Sequence, residues 1–273
     1  MDKILEIRNL SFSYEEERRV LSHINVTIHK GEKIAVVGAN GAGKSTLFLN
    51  MNGVLQPDEG EIRYRGITIT KKNISDLRRN VGIVFQDADN QIIASTVMQE
   101  VSFGPINLKL SKEEVKERVQ QALSFMNLTE FADRPPHYLS GGEKKRVGIA
   151  DIIAMRSEVI IFDEPTASLD PVNQQVLEKV LRQLEAENKT ILIATHDTDF
   201  VFRWADRILV LGENDILADD TPITVFKDTV LLEKAHLRKP TLLEVCEILV
   251  EQGVLEAEKA YPTTIDNLRQ LFK

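Results

Sequence analysis

Lys33-Ile-Ala-Val-Val-Gly-Ala-Asn-Gly-Ala-Gly-Lys-Ser-Thr46 is an apolar run that breaks into glycines and then into a lysine followed by two hydroxyls. It fits the spacing G-x-x-x-x-G-K-[ST], with Gly38 opening a loop and Gly43-Lys44-Ser45 closing it. Glycines at 38, 41 and 43 permit a sharp turn that aims successive backbone N–H groups inward, so the loop and the following helix N-terminus form a nest for phosphate. In this pattern Lys44 reaches the β and γ phosphates of a nucleotide and the Ser45 hydroxyl holds Mg²⁺. A glycine-rich turn that binds nothing is the bland alternative. Against it, a strand pattern precedes the loop and a helical one (Leu47, Phe48, Met51) follows, which is the context a phosphate loop requires.

The 273 residues suffice for one large domain with a substantial core, or for one domain and a small appendage. A net charge of -8 argues against non-specific nucleic-acid binding, which needs a basic face to displace counterions, so no nucleic-acid partner is expected. Cys246 stands alone and cannot form an internal disulfide; its expected place is a small core position on an apolar helix face. Met1-Asp2-Lys3 runs directly into the alternating stretch 4–8, so no signal peptide is expected. No apolar run approaches the ~20 residues that span a bilayer.

Residues 3–9 and 24–29 read as half-buried strands of an antiparallel sheet, with Leu10-Ser-Phe-Ser-Tyr14 and a charged turn, 15–19, between them. Gln56 to Gly60 is a turn, Glu61 to Tyr64 a strand, and Val81 to Phe85 a buried strand ending at Gln86. From Asp87 to Arg156 the pattern becomes helical. Ser111 to Glu114 reads as a capping box, and Val115, Val119, Ala122, Leu123 and Met126 then share one face. Leu139-Ser-Gly-Gly-Glu-Lys-Lys-Arg146 opens another helix, with a second capping box from Ser140 to Glu143. Two glycines at its start cost roughly 1 kcal/mol each in helix propensity, so close approach of an anion to that backbone is expected there.

Val159-Ile-Ile-Phe-Asp163-Glu164 is an apolar strand ending in two carboxylates, at the sheet edge where nucleotide-binding α/β folds place metal ligand and base. Asp163 would hold Mg²⁺ through its water shell, and Glu164 would accept a proton from the attacking water. Thr190 to Thr195 is a further strand, delivering His196 to the same edge, where its imidazole could donate to a γ-phosphate. From Thr221 to Lys273 short helices follow, with Pro222 at a first helical position, an apolar face at Leu242, Val245 and Leu249, and Ile265, Leu268 and Leu271 at the end. This tail packs either on its own domain or on the same tail of a second subunit.

With these stretches in order, the chain resembles the ATP-binding subunit of ATP-binding-cassette (ABC) transporters over residues 3–225. The motifs are the loop 38–46, Gln86, the signature Leu139-Ser140-Gly141-Gly142-Glu143, the pair Asp163-Glu164, Ser168-Leu169-Asp170 and His196. Glu143 stands where the common signature has glutamine, a departure found in part of the family. The resemblance implies an α/β phosphate-loop NTPase with a parallel core sheet, an antiparallel β subdomain, a helical subdomain inserted at about 87–156 and a helical extension, 226–273, after an ATP-binding domain, 1–225. It implies ATP and Mg²⁺ as ligands. Nucleotide contacts would come from Gly38, Asn40, Gly41, Ala42, Gly43, Lys44, Ser45, Thr46, Gln86 and Asp170, and from Ser140, Gly141 and Gly142 of a second subunit. Tyr14, rather than Phe12, would stack on adenine, and Gln86 would join Ser45 and Asp163 around the metal.

Phe85-Gln86-Asp87-Ala-Asp-Asn90-Gln91-Ile92 and Phe103-Gly104-Pro105-Ile106-Asn107-Leu108, of which Phe103-Gly104-Pro105 reads as a turn, look like the energy-coupling-factor branch, which includes cobalt, nickel and vitamin importers. That likeness implies a homodimer, or a heterodimer with a paralogous ATP-binding subunit, docked on integral membrane transporter subunits at the cytoplasmic face of the cell membrane. Two other readings are a soluble ABC ATPase acting on nucleic acid or ribosomes, and a non-hydrolysing ATP-gated interaction protein. The acidic charge and single cassette weigh against the first, and an intact Glu164 and His196 against the second.

Overall fold

The computed structural model describes residues 2–15, 18–87, 91–167, 170–256 and 261–272. Along the chain come β1 (Lys3–Glu15), β2 (Arg18–His29), β3 (Lys33–Val37), α1 (Lys44–Met51), β4 (Glu59–Tyr64), β5 (Ile67–Thr68), α2 (Ile74–Asn80) and β6 (Val81–Val84). A helical insertion follows, with α3 (Val97–Asn107), α4 (Lys112–Phe125) and α5 (Gly141–Met155). The alternation of strand and helix then resumes with β7 (Val159–Asp163), α6 (Pro171–Ala186), β8 (Thr190–Ala194), α7 (Thr198–Trp204), β9 (Arg207–Gly212) and β10 (Asp215–Asp220). The chain closes with α8 (Pro222–Lys227), α9 (Thr229–Ala235), α10 (Thr241–Glu251) and α11 (Ile265–Gln270).

The central sheet has the order β10-β9-β3-β8-β7-β6, parallel except for β10, and a second, antiparallel sheet has the order β2-β1-β4-β5. Because both faces of the central sheet are covered, its parallel strands are largely apolar, and alternate residues feed two cores. Ala35, Val37, Ile160 and Phe162 face the helices, while Ile34, Val36, Val159 and Ile161 face the antiparallel sheet and α1. The Ser22 N–H donates to the Asn214 carbonyl at 2.7 Å and stitches the two sheets together beside the phosphate loop.

Four expectations need correction. The strands do not stop at 9 and restart at 24: β1 runs on through Tyr14 because Leu10, Phe12, Leu21 and Ile24 are buried in one core, and bulges near Asn9 (φ 49°) and His23 (φ 55°) absorb the register breaks. Ser111 does cap α4 by accepting from the Glu114 N–H, but the Glu114 carboxylate turns to Arg118 instead of closing the box. Phe103-Gly104-Pro105 is the last part of α3 rather than a turn. In α10 the inward face is Leu243 and Cys246; Val245 is exposed, and Leu242 and Leu249 are half-buried. Leu232, Ala235 and Leu243 of the tail join the core beneath the central sheet, so the tail packs on its own chain through that face. Among the described residues no helix is long and apolar enough to cross a membrane.

Candidate active site

Four parallel strands end along one edge of the central sheet, and in the spatial order β3, β8, β7, β6 they deliver the phosphate loop, His196, the Asp163-Glu164 pair and Gln86. A cleft of about 650 Å³ opens above them, lined by Asn40, Gly41, Gly43, Lys44, Ser45 and Thr46 from the loop and by Gln86, Asp163, Glu164 and His196 from the strand ends. Gly38 and Ala42 shape the loop from behind. The backbone of Gly38 (φ 148°) lies so near β9 that a Cβ there would stand 2.2 Å from the Leu211 carbonyl oxygen. α1 starts at Lys44 after Gly43 (φ 97°), so its first-turn N–H groups face the cleft without intrahelical partners.

Lys44 is buried, and its ammonium donates to the carbonyl oxygens of Gly38 (2.8 Å) and Ala39 (3.1 Å), spanning the loop. Burial pushes its pKa down, while the carboxylates of Glu164 and Asp163 pull it back up. Asp163, the last residue of β7, is buried, and Glu164 follows in the left-handed region at φ 48°. Burial also raises the Glu164 pKa; the His196 imidazole and Lys44 oppose that, and Asp163 adds to it. His196 Nε2 lies 3.0 Å from Glu164 Oε1 but outside hydrogen-bonding geometry, so among the described residues this buried oxygen has no hydrogen-bond partner. An acceptor left unsatisfied in a polar cleft is costly unless water or a ligand reaches it, as a reacting water would.

Residues 21–167 match the sequence profile of the ABC transporter family. The chain belongs to the ABC transporter family. The energy-coupling factor transporter ATP-binding protein EcfA of Methanocaldococcus jannaschii is 45% identical over 269 residues, covering 98% of this chain and 96% of that one. Among solved structures, cbiO1 from Clostridium perfringens, part of the ABC transporter complex cbiONQ, superposes with a TM-score of 0.74 at 41% identity, over 90% of this chain and 100% of that one. An ATP-binding cassette in a dimeric post-hydrolysis state bound to ADP and Pi superposes with a TM-score of 0.72 at 28% identity, over 80% and 99% of the two chains. This ABC cassette binds ATP, and it is an ATPase.

The signature of the ABC cassette lies apart from its own cleft. Ser140, Gly141 and Gly142 begin α5 and do not line the pocket that holds Lys44. Here the capping box is complete: the Ser140 N–H and hydroxyl donate to Glu143 Oε2 at 2.7 and 2.8 Å, and the Glu143 N–H returns to the Ser140 hydroxyl at 3.3 Å. The space beyond Gly141 is open, whereas a Cβ on Gly142 would meet the Asn173 amide at 2.5 Å. Asp170 does not reach the cleft either; it caps α6 by accepting from the Asn173 N–H at 2.8 Å, and that bond holds its carboxyl below the usual range. Ser168 and Leu169, and residues 88–90 beside Gln86, lie outside the described residues.

Of the two aromatic candidates, Phe12 is buried and Tyr14 is 60% exposed at the cleft, with its hydroxyl 3.2 Å from that of Thr46. The Phe12 and Tyr14 rings meet in a T-shaped pair, with centroids 5.1 Å apart and planes at 88°. Sequence reasoning missed Arg18, Val20 and Asn214, which also line the cleft. They come from β2 and the β9–β10 turn, and no local pattern marks them; only the juxtaposition of the two sheets does. It also missed Lys145, which looked like one charge in a helical run. Ser45, Gln86 and Asp163 offer a hydroxyl, an amide and a carboxylate, hard oxygen donors suited to Mg²⁺. Among the described residues no three His, Cys, Asp or Glu side chains form a metal cluster, so the donor set fits an ion that takes its remaining ligands from phosphate and water.

Proposed function

We propose that this ABC cassette is the ATP-hydrolysing subunit of an energy-coupling-factor-type importer, working as a pair of cassettes on the cytoplasmic face of the cell membrane. The observation that carries the paired reading is that Ser140 and Gly141 do not line the chain's own cleft and the space beyond Gly141 is open, so a second cassette would supply them. The pair is a homodimer or a heterodimer with a paralogous subunit. The importer branch is supported by the likeness to EcfA and to cbiO1, and the solute would be a cobalt or nickel ion or a vitamin. Residues 1–225 would form the ATP-binding domain and 226–273 its extension.

In this mechanism the loop N–H groups and Lys44 bind the β and γ phosphates, and Tyr14 stacks on adenine. Bound Mg²⁺, held by Ser45, Gln86 and Asp163, would neutralise charge on the phosphates. Glu164 takes the proton of the attacking water as the new P–O bond forms and the bond to the ADP oxygen breaks. His196, beside Glu164, donates to the γ-phosphate. Gln86 links this chemistry to the membrane, because it leads into the helical insertion, where the exposed apolar side chains of Ile93 (71% exposed) and Phe103 (51% exposed) would contact a membrane subunit. Ile93→Asp tests that coupling. It should leave folding and the ATPase activity of the isolated subunit within about twofold of wild type, since exposed substitutions cost little. Co-purification with the membrane subunits and solute uptake should be lost. Normal assembly and uptake by the variant would remove Ile93 from the docking surface.

A further inference from the structure

The left-handed backbone at Glu164 needs an explanation. A glutamate at φ 48° is strained, and such a conformation persists only where the surroundings over-determine it. Its N–H is held by the Ala194 carbonyl at 2.9 Å, across the β7–β8 pair. Its carbonyl oxygen, turned out of the sheet, accepts from the Ala167 N–H at 3.2 Å and from the Lys145 ammonium at 2.8 Å. Lys145 also donates to the Ala167 carbonyl at 3.3 Å, so one ammonium clamps both ends of the 164–167 turn.

Lys145 stands one turn into α5, the helix that Ser140 caps, and it is 5% exposed. A buried ammonium is expensive unless its donors are satisfied. Here two backbone carbonyls satisfy it, with the Glu164 and Asp163 carboxylates near enough to oppose the effect of burial on its charge. An apolar residue would fill this site at lower desolvation cost, so the ammonium is explained by what it holds.

We propose that Lys145 is a positioning residue for hydrolysis: by holding the Glu164 carbonyl and the Ala167 carbonyl from the signature helix, it sets the backbone conformation that points the Glu164 carboxylate into the cleft. Lys145 does not line the cleft and acts through Glu164. This rests on the reading of Glu164 as the base.

The test uses the full chain with Lys145→Met, Lys145→Gln, Lys145→Arg, Glu164→Gln and the Lys145→Met/Glu164→Gln double variant, each measured for kcat, KM, nucleotide affinity and melting temperature. Misplacing a catalytic group by a fraction of an ångström to 1 Å costs up to about 10²-fold, so Lys145→Met should lower kcat by roughly 10–100-fold with KM and nucleotide affinity within about twofold. Lys145→Arg, which keeps a cation and several donors, should recover most of the loss. Because Lys145 acts through Glu164, adding Lys145→Met to Glu164→Gln should lower the residual rate by less than about threefold. Should Lys145→Met lose its cooperative melt, Lys145→Gln is read by the same criteria. A wild-type kcat, a loss carried by KM, or an undiminished loss in the Glu164→Gln background overturns the proposal. Wild-type turnover by Glu164→Gln alone overturns the base assignment instead.

Discussion

Replacing Gly38 by alanine tests how the phosphate loop is held against the sheet. The new Cβ would stand 2.2 Å from the Leu211 carbonyl oxygen, 3.1 Å from the Leu211 carbonyl carbon and 3.4 Å from Ala42 Cβ. An ordinary carbon–oxygen contact is about 3.3 Å, so roughly 1 Å must be found between two backbones, neither of which can swing aside as a side-chain tip can. Overpacking of this kind costs about 1–3 kcal/mol, and a φ of 148° adds about 1–3 kcal/mol for any residue with a Cβ. Taken together, a loss of about 2–6 kcal/mol and a fall in melting temperature of roughly 4–24 °C are expected. Gly41→Ala is the control: Gly41 has φ 81° but nothing within 4 Å of the added Cβ, so only the backbone strain of about 1 kcal/mol applies. Thermal and urea unfolding of both variants, with MgATP titrations, gives the comparison. Equal losses in the two variants, or an unchanged Gly38→Ala melt with normal nucleotide affinity, would refute the reasoning.

Lys44→Ala removes the cation that spans the loop, and MgATP affinity in calorimetry should weaken by about 10²-fold, as expected for lost hydrogen bonds to charged groups, while unfolding stays cooperative; wild-type affinity contradicts the assignment. For Glu143 the prediction concerns pH: the Ser140 N–H holds its carboxyl below the usual range, so its stabilisation is complete above the unfolded value and lost as pH falls through the folded one. Glu143→Ala should therefore lower stability by about 0.5–1 kcal/mol at pH 7, with the gap closing below about pH 4. An equal gap at both pH values in urea unfolding would show that the carboxylate charge plays no part.

Much of the site could be read in the sequence because its parts are local. The spacing from Gly38 to Ser45, the carboxylates ending an apolar strand at Asp163-Glu164 and the box from Ser140 to Glu143 each depend on a few consecutive residues, and the central sheet then places the strand ends side by side. What could not be read depends on distant partners. Glu114 had a choice between the Ser111 N–H and Arg118, and i,i+4 pairing with arginine won. The inward face of α10 was set by the core it meets, which selects Leu243 and Cys246 over Val245. Phe103-Gly104-Pro105 reads locally as a turn, yet α3 continues to Asn107 while packing on α5. Lys145 was invisible as a clamp because its partners, Glu164 and Ala167, lie about twenty residues on and across the sheet edge.

In the proposed mechanism Glu164 deprotonates water in a site that a second cassette completes. The most direct measurement is turnover and mass of Glu164→Gln with MgATP, since the amide keeps the size and removes the basicity. Turnover should fall by roughly 10²–10⁴-fold with ATP still bound, and the trapped nucleotide should hold two chains together in a sizing experiment, across contacts that Ser140→Arg then breaks. Hydrolysis at the wild-type rate, or a Glu164→Gln chain that binds ATP and remains monomeric, would contradict it.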